Sequence, residues 1–110
     1  MFAKPADEVI FAEKDVENSF LSLPENSEIK KAIYRVIDKL KENAFCGKNI
    51  PKKQIPKEYI KKHGVDNLWW YPLPSGWRLI YFIVTPSNAE ILAVILEYFN
   101  HNEYERRFKY

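Results

Sequence analysis

The chain has 110 residues, of which 46% are hydrophobic and 29% are charged, a composition that predicts one folded domain covering residues 1–110. A single cysteine excludes an internal disulfide and argues against a cysteine-based metal site. The apolar runs are too short to cross a membrane, and no signal-like segment follows Met1. We therefore expect a cytoplasmic location and no membrane association.

The positive charge is concentrated in one segment. The net charge of the whole chain is only +2, but residues 48–62 contain six lysines and one glutamate, which gives this segment a charge of +5. A local basic patch attracts polyanions even when the total charge is small.

The N-terminal half predicts one strand and two helices. Residues 9–12 are typical of a short edge strand, and Asp15 is expected to cap a short helix. A second helix should begin after Ser27 and end near Gly47, which suits the left-handed position that closes a helix. We expect the two helices to pair antiparallel and to cover one face of a sheet. The apolar stripe of the second helix contains Ile29, Ala32, Ile33, Val36, Ile37, Leu40 and Ala44.

The segment 48–66 is interpreted as a basic connector. Pro56 is well placed at the first position of a one- or two-turn helix that Gly64 closes. One interpretation is a solvated loop whose lysines keep the protein soluble. The other is a rim that binds phosphates, because the segment immediately precedes the most aromatic part of the chain. The lysines assigned to this phosphate-binding rim are Lys52, Lys53, Lys57 and Lys61.

Residues 67–84, which read NLWWYPLPSGWRLIYFIV, predict a β-hairpin with its turn at residues 74–76. Arg78 is the only charged residue between Asp66 and Glu90. Burying a guanidinium without an anionic partner is costly, so Arg78 is a candidate functional residue. The alternative is a structural ion pair of Arg78 with Asp66 or Glu97.

The C-terminal third predicts a turn at residues 85–88, a central strand at residues 91–99 and a short helix opened by Asn100 or His101. Glu103 and Arg107 can pair at i, i+4. The fold class is therefore α+β: two N-terminal antiparallel helices packed on a mostly antiparallel twisted sheet of about four strands, with a short C-terminal helix.

These residues suit cleavage of RNA through its own 2′-hydroxyl. Arg78 can hold a phosphate through two parallel hydrogen bonds, and His101 is the candidate general base or acid. Tyr104 can donate a hydrogen bond or stack on a base, Arg107 can neutralise charge, and Tyr71 can stack on an unpaired base. Alternatively, His101 only caps the helix, and Tyr104 only docks it on the sheet. Paired carboxylates, a glycine-rich phosphate loop and metal-ligand spacing are absent from the sequence, so we expect no metal and no cofactor.

Residues 75–81, which read SGWRLIY, and more loosely residues 101–104, HNEY, resemble the RelE/ParE superfamily of bacterial and archaeal toxins. The resemblance covers roughly residues 9–108 in the order of elements. It implies that Arg78 corresponds to the family arginine that contacts the scissile phosphate, and that His101 and Tyr104 belong to the variable C-terminal cluster. RelE proteins often carry lysines on the first hairpin strand, where this chain has aromatic residues, so lysine contacts would have to come from the connector.

The resemblance also implies function and partners. The RelE branch cleaves messenger RNA without a metal, usually in the ribosomal decoding site, whereas the ParE branch acts on DNA gyrase, and an antitoxin inactivates both. We expect a messenger-RNA endoribonuclease associated with the ribosome and neutralised by an antitoxin. The alternative is a ParE-like or decayed toxin that acts by protein binding. An apolar groove between the two helices and the connector, rimmed with lysines, would suit an acidic amphipathic antitoxin helix.

Overall fold

A five-stranded sheet with helices on both faces forms the body of the protein. The computed structural model describes residues 4–87 and 89–108. Short 3₁₀ turns cover Lys52–Gln54 and Pro74–Gly76. None of the helices in the described ranges is long and apolar enough to cross a bilayer. The strands and α-helices, in chain order, are β1 (Glu8–Phe11), α1 (Lys14–Leu21), α2 (Glu28–Glu42), β2 (Lys48–Ile50), α3 (Lys57–His63), β3 (Leu68–Pro72), β4 (Arg78–Ser87), β5 (Glu90–Phe99) and α4 (His101–Arg107).

The sheet is mixed, with the strand order β1-β5-β4-β3-β2. The pairs β2–β3, β3–β4 and β4–β5 are antiparallel, whereas β1 runs parallel to β5. The predicted α+β class is confirmed, but the prediction of about four strands is wrong. The additional strand is β2, which begins the segment interpreted as a connector. It pairs with β3, and the buried Ile50 lies opposite the buried Leu68.

The two faces of the sheet are covered by different parts of the chain. On one face, α1 and α2 pack on alternate residues of β4, namely Leu79, Tyr81 and Ile83. On the other face, the residues between them, Ile80 and Phe82, pack with α3 and α4. We call these the α1/α2 face and the α3/α4 face. Strand β4 is continuously apolar from Leu79 to Ile83, where both of its faces are buried.

Within the residues that the structure describes, the helical pair and the connector do not line one common apolar groove. Helices α1 and α2 belong to one hydrophobic cluster, whereas Ile50, Ile55 and Tyr59 of the connector belong to the cluster on the opposite face of the sheet. The sheet therefore separates the two surfaces that were expected to line one groove.

The helix ends follow local capping chemistry. The hydroxyl oxygen of Ser27 accepts a hydrogen bond from the Lys30 amide at 3.2 Å, which confirms the predicted start of α2. Gly64 ends α3 with φ of 65°, also as predicted. Asp15 is not the cap of α1, because this helix begins one residue earlier and Glu13 precedes it.

Gly47 has a different role from the one predicted. Helix α2 ends at Glu42, and Gly47 has no positive φ. A Cβ atom at this position would lie 2.7 Å from the Tyr81 hydroxyl oxygen and 2.9 Å from the Trp70 carbonyl oxygen. Glycine is therefore required by close packing against the sheet rather than by backbone conformation.

Two details of β4 and β5 differ from the predicted hairpin and turn. Strand β4 continues to Ser87, so most of the predicted 85–88 turn is strand, and Asn88 lies outside the described residues. Near its end, β5 contains a bulge: Ile80 lies opposite Glu97, whereas Tyr81 lies opposite Ile95. The extra residue is Leu96, and the bulge turns Glu97 toward the α3/α4 face.

Candidate nucleic-acid interface

Arg78 lies in an aromatic notch at the end of the sheet. It opposes Phe99 of β5, and its guanidinium carbon lies 4.0 Å from the ring centre of Trp70 and 4.1 Å from that of Tyr104. These two ring centres are 6.4 Å apart, and the ring planes are inclined at 59°. The guanidinium therefore sits in the angle between two rings, where cation–π contacts fix its position.

No carboxylate neutralises Arg78 within the described ranges. Glu97 is engaged by Arg107 and by the Tyr59 hydroxyl, and Asp66 accepts a hydrogen bond from the Asn67 side chain. The alternative of a structural ion pair with either acid is therefore wrong. A half-buried guanidinium with no anion beside it retains hydrogen-bonding capacity for one that arrives from outside.

Lys48 is a second cation at this site, and sequence reasoning missed it. It opposes Trp70 across β2 and β3, and its ammonium nitrogen lies 5.0 Å from the Trp70 ring centre. The Arg78 guanidinium carbon lies 4.0 Å from the centre of the same ring, so the two cationic groups are at most 9.0 Å apart. The signal that could have identified Lys48 is its position opposite Trp70, and this position follows only if residues 48–50 are predicted to form a strand.

His101 lies at the same end of the sheet as Arg78. It is the first residue of α4, two positions after the partner of Arg78, and a Cβ added to Gly76 in the turn would be 3.8 Å from its Cβ atom. The imidazole is exposed, and its Nε2 atom lies 3.6 Å from a carboxylate oxygen of Glu105. His101 does not cap the helix, because the Asn100 side chain accepts the capping hydrogen bond from the Glu103 amide.

Tyr104 is mainly a packing residue. Its ring is buried and stacks on Phe108 with ring centres 4.5 Å apart, and it also contacts Phe99. The alternative that Tyr104 docks α4 on the sheet is thus correct. The same ring forms one wall of the notch that positions Arg78.

Arg107 is already neutralised. Its Nε and Nη2 atoms each donate to Glu97 at 3.0 Å, and Nη1 donates to Glu103 at 2.6 Å, so the predicted Glu103–Arg107 pair is confirmed. Burial, reinforced by the hydrogen bond to Glu97, raises the pKa of Tyr59 far above its usual value. Arg107 therefore belongs to a structural network on the α3/α4 face rather than to the free cations of the site.

The other residues predicted to bind RNA are dispersed. Lys52 and Lys53 are exposed in the turn after β2, and Lys57 and Lys61 are exposed on α3. Tyr71 opposes Leu79 and packs against the α1/α2 cluster, on the opposite face of the sheet from Arg78. Among the predicted residues, the structure thus brings together Arg78, His101 and Tyr104, and the ion-paired Arg107 lies beside them on Phe99.

The described residues contain no group of three or more histidine, cysteine or acidic side chains arranged to hold a metal ion. No protein-family model matches the chain, and no curated protein or solved structure shows significant similarity to it. The function must therefore be inferred from the side chains gathered around Arg78.

Proposed function

We propose that this protein is a RelE-like toxin: a metal-independent endoribonuclease that cleaves messenger RNA on the ribosome in the cytoplasm, and that a cognate antitoxin neutralises. The observation that carries the proposal is the guanidinium of Arg78, which is fixed between Trp70 and Tyr104 and has no carboxylate partner among residues 4–87 and 89–108. Such a group is preorganised to bind a phosphate, because its position is set before the ligand arrives. The SGWRLIY segment and the order of elements support the RelE-like assignment.

The proposed reaction needs stabilisation of charge on the phosphate and proton transfer at the 2′- and 5′-oxygens. Arg78 donates hydrogen bonds to the non-bridging phosphate oxygens, where negative charge accumulates as the 2′-oxygen attacks phosphorus. The new 2′-O–P bond forms as the P–O5′ bond breaks, and the products carry a 2′,3′-cyclic phosphate and a 5′-hydroxyl. A base removes the 2′-hydroxyl proton and an acid protonates the leaving 5′-oxygen. His101 serves one of these roles, because imidazole transfers protons near neutral pH.

Induced expression with mapping of transcript ends tests this function. The wild-type protein should arrest growth and generate cleaved transcripts, whereas Arg78→Ala and His101→Ala should relieve the arrest. Arg35→Ala is the matched control, because Arg35 is exposed on α2 and forms no ion pair in the described part of the chain. Full toxicity of both site variants would refute the assigned roles. Co-purification of a short acidic protein would support an antitoxin partner.

One observation favours a second candidate, a ParE-like or decayed toxin that acts only by protein binding. Tyr104 is buried and Arg107 is ion-paired, so two of the residues predicted for RNA chemistry stabilise α4 instead. The same assay separates the two candidates. Growth arrest without new transcript ends would favour protein binding, and cyclic phosphate ends would favour the nuclease.

A further inference from the structure

A cleft of about 440 Å³ opens at the end of β5, next to the strand end that carries Arg78. It lies between α1, the end of β5 and the start of α4, and Trp77 and Asn100 on its wall directly precede Arg78 and His101. The cleft therefore adjoins the candidate interface. Its apolar lining residues are Val16, Leu23, Trp77, Tyr98 and Phe99, and its polar ones are Asp15, Ser19, Glu97, Asn100 and Glu103.

The cleft exists because β1 is shorter than β5. Strand β4 pairs with β5 as far as Phe99, whereas β1 pairs only with residues 92–95. No strand in the described ranges therefore covers the outer edge of β5 from residue 96 to residue 99. The uncovered edge leaves the side chains at the end of β5 open to the cleft.

The aromatic wall of the cleft is held in place. Trp77 and Tyr98 stack with ring centres 6.3 Å apart and planes inclined by 27°. The Tyr98 hydroxyl is hydrogen-bonded to the Ser19 hydroxyl at 2.7 Å, which ties the wall to α1. A fixed, half-buried aromatic wall suits a flat ligand that stacks on it or slides along it.

The charges on the cleft select the kind of ligand. All three charged lining residues are carboxylates, and Glu97 and Glu103 are already bound to Arg107. Asp15 is exposed and forms no ion pair within residues 4–87 and 89–108, so its oxygens are available to N–H donors. An acidic cleft disfavours phosphate and favours a flat group that donates hydrogen bonds.

We propose that this cleft binds a nucleobase of the RNA strand whose phosphate Arg78 holds, with Asp15 accepting hydrogen bonds from the base. This inference rests on the proposed function. The phosphate lies on the cationic side of the strand end and the base on the aromatic, acidic side.

The carboxylate of Asp15 makes the cleft selective for guanine. Guanine presents two adjacent donors, N1–H and N2–H, which match the two oxygens of a carboxylate. On their Watson–Crick edges, adenine, cytosine and uracil each present an acceptor beside a donor. That acceptor would face a carboxylate oxygen and be repelled.

Binding of uncleavable oligonucleotides tests the cleft. The probes are four end-labelled 2′-O-methyl pentanucleotides, each with uridine at all positions except the centre, which is guanosine, adenosine, cytidine or uridine. Fluorescence anisotropy should show the guanosine probe binding about tenfold more tightly than the others, the discrimination expected of one bidentate contact. Asp15→Asn should abolish this preference by lowering the affinity for the guanosine probe, because an amide no longer presents two acceptor oxygens. Asp38→Asn, an exposed substitution on α2, is the matched control and should retain the preference.

The outcomes separate this inference from the proposed function. Arg78→Ala should lower the affinity for all four probes by the same factor, since the phosphate contact carries no sequence information. Equal binding of the four probes by the wild-type protein would overturn the guanine cleft while leaving RNA binding intact. A preference for guanosine that survives Asp15→Asn would overturn the role of Asp15. No binding of any probe would overturn both proposals.

Discussion

The guanidinium of Arg78 and the indole of Trp70 are diagonal neighbours on adjacent strands. Trp70 opposes Ile80, two residues from Arg78 on β4, so the two side chains emerge from the same face of the sheet. Their contact, with the guanidinium carbon 4.0 Å from the ring centre, is thus imposed by strand register. The pairing of β3 with β4 therefore holds the Arg78 guanidinium in place at the end of the sheet.

Replacing Trp70 should therefore weaken phosphate binding without removing a charge. We expect Trp70→Leu to lower the affinity for an uncleavable single-stranded oligonucleotide by about 1 kcal/mol, roughly fivefold, because the cation–π contacts of Trp70 with Arg78 and Lys48 are lost. Trp70→Phe should retain most of the affinity. Trp69→Leu is the control, since Trp69 packs on the α1/α2 face. Equal losses in the Trp69 and Trp70 variants would contradict a specific role for the notch.

Lys48 should contribute one phosphate contact of its own. For single strands, the slope of log K against log salt concentration is about −0.7 per phosphate contacted, so Lys48→Ala should reduce its magnitude by about 0.7. Lys31→Ala, an exposed change on α2, should leave the slope unchanged. Titrations of one oligonucleotide at four salt concentrations measure both variants. An unaltered slope for Lys48→Ala would place its ammonium group away from the bound strand.

Features set by local pattern were predictable from the sequence. The stripe of α2, the hairpin around residues 74–76 and the cap of α2 at Ser27 all depend on neighbours within a few positions. The nearness of Arg78 and His101 was also predictable in outline, because consecutive antiparallel strands bring the start of β4 beside the end of β5.

Features set by distant contacts were not predictable. Strand β2 has only three residues, and it is a strand because it pairs with β3. The requirement for glycine at position 47 comes from Tyr81, which is 34 residues away. The neutralisation of Arg107 depends on a bulge that turns Glu97 toward it, and no local signal marks that bulge.

Tyr81 should be important for stability. Its fully buried hydroxyl donates to the Ala44 carbonyl and accepts from the Gly47 amide, each at 3.0 Å. Tyr81→Phe leaves both backbone groups without this partner, so we expect the free energy of unfolding to fall by about 2 kcal/mol. Tyr98→Phe removes a more exposed hydroxyl and should have a smaller effect. Urea denaturation compares the two, and a smaller loss for Tyr81→Phe would contradict the importance of this buried link.

Lys30 closes the loop between α1 and α2 from inside the protein. It is 3% exposed, and its ammonium group donates to the carbonyls of Leu21 and Leu23 at 3.0 Å and to Glu25 at 2.6 Å. Lys30→Met removes the donor for both carbonyls and should destabilise the protein by about 2–3 kcal/mol. The neighbouring Lys31→Met changes an exposed residue and should have almost no effect. Similar midpoints in urea for both variants would show that the loop does not depend on Lys30.

Glu13 should make part of the stability dependent on pH. Its carboxylate contacts the Lys62 ammonium at 3.2 Å and His63 Nε2 at 3.3 Å, and the Lys62 hydrogen bond, then that of His63, lower the pKa of Glu13 below its usual 4.5. A lowered pKa in the folded state means that the stabilisation is present above the unfolded value and is lost as the pH falls through the folded value. The difference in unfolding free energy between wild type and Glu13→Gln should therefore be largest near pH 6 and shrink below about pH 4. Glu17→Gln is the control, because Glu17 forms no ion pair in the part of the chain that the structure describes. A Glu13→Gln difference that stays constant from pH 6 to pH 3 would mean that this carboxylate does not tie α3 to the start of α1 in solution.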